Sequence, residues 1–247
     1  MTRYVFQHLS ATTNIGDRVT TPSRWLDFGT DTVVQNFGAD APPCDVAILG
    51  GGQVYAQALA AVLHHTSAAR HRVTWAVGMR ANNPGSYRHE VFAGRLSLMG
   101  CRDVDVPRTV YVPCASCLCP RFDRLPAPQH EVVIYAHGGK SDGIAWPPGI
   151  PVLSNLRGTF MEKLAFIASG AIVVTNSYHG TYWAMLMGRR VLALPFSAKF
   201  GGFARMPATA DPADWQGELA RAHALPGYLE ECRSANRAFH ERVMNLP

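Results

Sequence analysis

Charge is scarce in this chain: Asp, Glu, Lys and Arg make up 17% of its 247 residues. That excludes a disordered or highly solvated polymer, which needs much charge and little hydrophobicity to stay open. Lysine is scarcer still. Lys140, Lys163 and Lys199 are the three lysines, so the net charge of +5 comes mostly from dispersed arginine. No dense Lys/Arg run marks a nucleic-acid surface. The mild basic bias suits a phosphorylated or acidic substrate, with weak nucleic-acid or membrane-surface contact as the alternative. No apolar stretch approaches the roughly 20 residues needed to span a bilayer. The opening MTRYVFQHLSATTNIGD lacks an apolar h-region and a cleavage pattern. The expectation is a soluble, cytoplasmic protein without a transmembrane segment. Six cysteines at this length do not make a disulfide scaffold. Short-period repeats and low-complexity segments are absent.

What is present is core material. Hydrophobic residues reach 47%, enough for one large domain or two small ones. Buried-strand runs are expected at residues 3–9, 32–37, 44–49, 72–77, 96–101 and 109–112, with a helix over 53–65. PAPQH at 126–130 reads as a linker. The alternation then restarts with strands at 131–136 and 151–153 and a helix over 159–169. Thr159 and Glu162 form a capping box there, and Gly170 is the stop. A strand at 171–175, a helix over 181–187 and a strand at 190–196 follow, and the pattern is helical from Pro212 onward. Strands alternating with helices imply parallel sheets covered on both faces. The fold class expected is α/β with two Rossmann-like domains.

The densest chemistry lies between Ala171 and Phe200. A strand ending in a small polar cluster that opens a helix is where α/β proteins bind anions, because free N–H groups and the helix dipole meet there. Asn176, Ser177, Tyr178, His179 and Gly180 form that cluster, with the N–H groups of Gly180 and Thr181 as anion donors. His179 is a ligand-facing histidine or a satisfied core one. Lys199 is expected on the same edge. Gly50-Gly51-Gly52 follows a strand, which allows close approach of a ligand or serves a tight turn. It is not G-x-G-x-x-G, since Val54 and Tyr55 occupy the later places. Asn14, Gly16 and Asp17 share the first loop. Asp17 orients a sugar hydroxyl or takes its proton, or else caps a helix. Arg102 is a clamp for carboxylate or phosphate, while Asp103 pairs with it or caps a turn. His137-Gly138-Gly139-Lys140 suits a phosphate-facing loop. Cys114, Cys117 and Cys119 form C-x2-C-x-C, one cysteine short of a four-ligand metal set, so packing in a turn is the plainer reading.

Together these pieces resemble the polysaccharide pyruvyl transferase family over most of the chain. Gly16-Asp17 matches its Gly-Asp loop, and Asp45 through Gly50-Gly51-Gly52 its Asp-x-x-x-x-Gly-Gly-Gly. Arg102-Asp103 matches its Arg-Asp pair. Ser177-Tyr178-His179-Gly180 stands where the family has Arg-Leu-His-Gly, followed by Gly188-Arg189-Arg190 and the late Lys199. The resemblance implies a GT-B-like fold, two domains facing across a cleft. Residues 1–126 would be the acceptor side, 127–211 the donor side, and 212–247 helices crossing back. It implies transfer of pyruvate from phosphoenolpyruvate to a sugar as a ketal, with no metal or organic cofactor. His179 would be the acid. Arg102, Lys199, Ser177, Asn176, Gly180, His137 and Lys140 would hold the donor, and Asp17, Asn14, Gly16, Gly51 and Gly52 would face the acceptor. The family's arginine is Ser177 here, which leaves a second reading open. That reading is a GT-B glycosyltransferase using a nucleotide-sugar donor, with a glycan, lipid-linked sugar or nucleic acid as acceptor.

Overall fold

Val46 to Gly50 is apolar at every position and buried throughout. Such a strand belongs inside a parallel sheet with both faces covered. The computed structural model, which describes residues 2–54, 56–80, 92 and 94–247, places it there. The first sheet comprises β1 (Tyr4–His8), β2 (Thr32–Asn36), β3 (Val46–Gly50), β4 (His71–Val77), β5 (Leu98–Cys101) and β6 (Val110–Tyr111). Its order is β2-β1-β3-β4-β5-β6, with every pair parallel. The second comprises β7 (His130–Ala136), β8 (Val152–Ser154), β9 (Gly170–Thr175), β10 (Arg190–Ala193) and β11 (Ala208–Thr209). Its order is β11-β10-β9-β7-β8, again parallel.

Parallel pairing puts the carboxyl ends of all strands of a sheet on one edge. Chain order reverses between β1 and β3, and again between β7 and β9, so each sheet has a switch-point crevice at that edge. The helices are α1 (Ile15–Arg18), α2 (Ala56–His65), α3 (Phe160–Ala168), α4 (Tyr178–Leu186) and α5 (Tyr228–Met244). The expected helix over 53–65 is shorter, and Tyr55 lies outside the described residues. The capping box of α3 forms on both sides, Thr159 Oγ1 accepting from Glu162 N and Glu162 Oε2 accepting from Thr159 N.

Three expectations are corrected. Gly170 is the first residue of β9, pairing with His130, and Ser169 caps α3. A side chain at Gly170 would collide with Val133 of β7, so glycine serves the sheet there. α4 begins at Tyr178, three residues early, because Ser177 caps it. Residues 212–227 are not a continuous α-helix. A 3-10 stretch at Trp215–Arg221 buries Trp215 beside Trp146, and Gly227, at φ 81°, turns the chain into α5.

α5 crosses to the first sheet. Phe239 packs edge-on to Trp75 at 4.9 Å, and Trp75 Nε1 donates to Asn236 Oδ1 at 2.9 Å. Phe239 and Val243 thereby complete the core built on Tyr4, Phe6, Ile48 and Trp75.

A cationic cleft at two facing switch points

The loops after β1, β3, β5, β7, β9 and β10 converge on one cleft of about 500 Å³. They bring Asn14, Asp17, Gly51, Gly52 and Arg102 from the first sheet against His137, Ser177, His179 and Lys199 from the second. An antiparallel bridge between Asn14 and Leu156 joins the two sides at the cleft, with Ile15 N donating to Asn155 O and Arg157 N to Thr13 O.

His179 lies in the first turn of α4 and is 5% exposed. Its ring is wedged between Trp183 and Tyr178, at 5.4 and 5.8 Å between centroids. The third wall is the backbone of Gly16, where an added Cβ would overlap the ring, 2.5 Å from Cγ. His179 Nε2 is buried and has no protein partner. Burial, then the charges of Arg102, Lys199 and His137, hold its pKa well below the ordinary histidine value. In the empty cleft the ring is therefore neutral at pH 7.

Arg102 is 3% exposed, its guanidinium lying 3.9 Å from the Tyr178 ring centroid. Phe203 stacks on Tyr178 at 4.5 Å and 9°. The guanidinium also occupies the space a side chain at Gly78 would need, with Nε 2.7 Å from that Cβ position. Arg102 Nε is buried without a partner. Asp103 does not neutralise it: Asp103 Oδ2 accepts from Met79 N and Arg80 N, at 2.6 and 2.9 Å. Lys199 Nζ sits 4.2 Å from the Phe196 ring centroid. Burial and then Arg102 bring its pKa down to about 8, against a pull the other way from Asp17. Burial raises the Asp17 carboxyl above its usual range, opposed by Arg102, Lys199 and the hydrogen bond from Asn14. His137 is likewise held low, by burial and then Lys199.

Other expected site residues have structural duties. The N–H of Gly180 donates to Ser177 Oγ at 3.3 Å and that of Thr181 to Ser177 O at 2.9 Å, so neither is free for an anion. Gly180 is glycine because a Cβ would strike Tyr135 and Thr175. Asn176 ties the 137–141 loop down: its Oδ1 accepts from His137 N, and its Nδ2 donates to Lys140 O. Lys140 is exposed and, with Asn176, borders a separate recess of about 340 Å³. Asn14, not Asp17, caps α1, accepting from Gly16 N at 3.1 Å. Gly51, at φ 60°, packs on Thr20, whose side chain leaves no room for a Cβ.

Two features escaped the sequence reading. Tyr178 is a wall of the cleft and the platform for Arg102. The other is an apolar wall of Leu9, Phe37, Val54, Ala58, Ala61 and Val62, facing the cations. The four alanine and valine positions follow the triple glycine, and their 3- and 4-residue spacing along α2 was the available signal.

The C-x2-C-x-C segment is a seat for helices. Tyr182 Oη donates to Cys114 O and Trp183 Nε1 to Ser116 Oγ, at 2.9 and 3.1 Å. Arg233 of α5 donates to Cys117 O and Cys119 O, at 3.0 and 3.3 Å. Burial raises all three thiols, leaving them unreactive. Among the described residues no group of three or more side chains is placed to hold a metal ion.

No family model matches the chain, and no curated protein matches it. Solved structures do. UDP-GlcNAc 2-epimerase from Neisseria meningitidis, bound to UDP-GlcNAc, superposes with a TM-score of 0.57 at 7% identity, over 98% of this chain and 99% of that one. The Methanocaldococcus jannaschii UDP-GlcNAc 2-epimerase, in complex with UDP-GlcNAc and UDP, gives 0.56 at 7% identity over the same shares. An uncharacterized protein from Klebsiella pneumoniae gives 0.52 at 12% identity, over 81% of this chain and 85% of that one. The fold is thus GT-B-like: two parallel α/β units face across a cleft, and a C-terminal helix returns to the first.

Proposed function

We propose that this chain is a transferase of the polysaccharide pyruvyl transferase kind, moving pyruvate from phosphoenolpyruvate to a pair of sugar hydroxyls. The observation that carries the reading is the meeting of Arg102, Lys199, His179 and His137 in one cleft with a single facing carboxylate, Asp17. That surplus of positive charge suits a small ligand with several negative charges, and phosphate plus carboxylate supplies them.

Arg102 and Lys199 would bind the donor's phosphate and carboxylate. Their charges then no longer bear on His179, and the bound anion favours its protonated form. Nε2, which has no protein partner, is the atom that delivers the proton to the methylene carbon. The resulting oxocarbenium carbon takes one sugar hydroxyl, whose proton passes to Asp17. Phosphate departs with the electrons of the C–O bond, and the second hydroxyl closes the ketal as its proton leaves with phosphate. A carboxyl with a raised pKa accepts such a proton well. The apolar wall on the first-sheet side fits an acceptor that carries apolar surface beside its sugar, which favours a lipid-linked sugar over a free glycan.

One observation favours the second reading, a nucleotide-sugar glycosyltransferase. The 340 Å³ recess beside His137, bordered by Asn176, Phe196 and Asp211, leaves room on the second sheet for a nucleoside. A thermal-shift comparison separates the two. Stabilisation by phosphoenolpyruvate, and none by UDP-sugars, is expected; the opposite pattern replaces pyruvyl transfer with glycosyl transfer.

A further inference from the structure

Asn155 follows β8, lies outside the cleft wall and is 1% exposed, yet all its polar groups are engaged. Its N–H donates to Ala136 O at 2.8 Å, and its carbonyl accepts from Ile15 N at 3.2 Å. Its side chain continues the pattern. Oδ1 accepts from Gly138 N at 2.9 Å, and Nδ2 donates to Asn14 Oδ1 at 3.1 Å. Asn14 Oδ1 also accepts from Gly16 N, and Asn14 Nδ2 donates to Asp17 Oδ2 at 2.8 Å.

The direction of this chain is not arbitrary. A backbone N–H can only donate, so Gly138 fixes which end of the Asn155 amide is oxygen, and Gly16 does the same for Asn14. Both NH2 groups are left pointing toward Asp17. The relay crosses from the second sheet to the first and ends on the carboxylate. Gly138 itself could carry no side chain, since Leu156 and Ser154 fill the place of a Cβ, at 2.5 and 2.8 Å.

We propose that Asn155 is a positioning residue: it locks the Asn14 amide, and Asn14 presents the Asp17 carboxylate to the acceptor hydroxyl. The inference rests on the reading of Asp17 as the proton acceptor above. The same side chain seats the loop of His137, so one amide sets the position of a group on each side of the cleft. Arg102, Lys199 and the thiol of Cys114 also bear on Asp17, and His179 packs on the neighbouring Gly16, so their titration must be followed alongside.

The test is the titration of Asp17 in the full chain labelled with 13C at aspartate carboxyls, the resonance assigned by its loss in Asp17→Asn. Asn155→Leu keeps the volume and removes the donor. Asn155→Asp keeps the bond from Gly138 and removes only the N–H groups. Both variants should move the Asp17 midpoint to higher pH and lower kcat/KM at neutral pH roughly tenfold, while the thermal shift given by phosphoenolpyruvate is retained. An unchanged midpoint overturns the proposal. In the wild-type chain, the side-chain amide signals of Asn14 and Asn155 should both follow the Asp17 midpoint. An Asn155 amide that ignores it overturns the proposal without any variant having to fold. Failure of the functional reading looks different: wild-type protein would then form no ketal, with the carboxylate titration still readable.

Discussion

The imidazole of His179 rests on the Cα of Gly16, so close that a methyl group there would overlap ring atoms. One residue lies on α1 and the other on α4, on opposite sides of the cleft. A change at Gly16 therefore acts through His179. Gly16→Ala should lower Tm and turnover together, because Trp183 and Tyr178 leave the ring no way to retreat. In a His179→Ala background the same substitution should cost little stability. The two effects in a double-mutant cycle should be coupled by about 1 kcal/mol or more. Additive behaviour would show that the contact carries no energy.

His179→Ala should lower turnover by about 10²-fold or more, the scale of losing a general acid. The neutral ring makes a second, sharper statement. At pH 7, binding of phosphoenolpyruvate should be accompanied by proton uptake, read by calorimetry in buffers of different ionisation enthalpy. Uptake should disappear in His179→Gln. Equal uptake in both proteins would assign the proton elsewhere.

Lys199 gives a pH window. Its folded pKa of about 8 lies below the unfolded value of 10.5. Between these values the unfolded chain binds more protons, so this group makes stability rise with pH from about 8 to 10.5. Donor binding runs the other way, since the charged amine is what attracts the anion. The dissociation constant for phosphoenolpyruvate should climb above pH 8, at a limit of about tenfold per unit, and Lys199→Met should flatten that climb. A profile that stays steep in the variant would exclude Lys199 as its source.

Ala61→Trp should fill the apolar side of the cleft. The expected result is a raised acceptor KM with an unchanged thermal shift from phosphoenolpyruvate. Loss of donor binding in this variant would mean that donor and acceptor do not divide the cleft between its two walls.

Much of the fold could be read because burial on both faces leaves apolar β-branched runs such as Val46-Ala47-Ile48 and Ile172-Val173-Val174. Their ends point to one edge, so Asp17, Arg102, His137, His179 and Lys199 could be grouped before any coordinates. Capping decided what was missed. Tyr-His-Gly is a poor helical opening, yet Ser177 takes the N–H of Gly180 and starts α4 there. Asn155 carried no signal, because a polar residue after a three-residue strand looks like any loop residue. Its importance comes from a partner 141 positions away.

Trp75 and Asn236 stand 161 positions apart, and their hydrogen bond closes the first core. The order of folding follows from that separation. The N-terminal sheet holds a buried indole N–H whose acceptor comes from a helix made long afterwards, so its core reaches final form only when α5 docks. Contacts of such sequence separation form slowly, since the intervening loop must close before they return any stability. The two sheets thus cannot mature as independent beads on a string. Their consolidation waits on one late helix, and an arrested intermediate lacking it would expose Trp75, Ile48 and Phe6 as a sticky face.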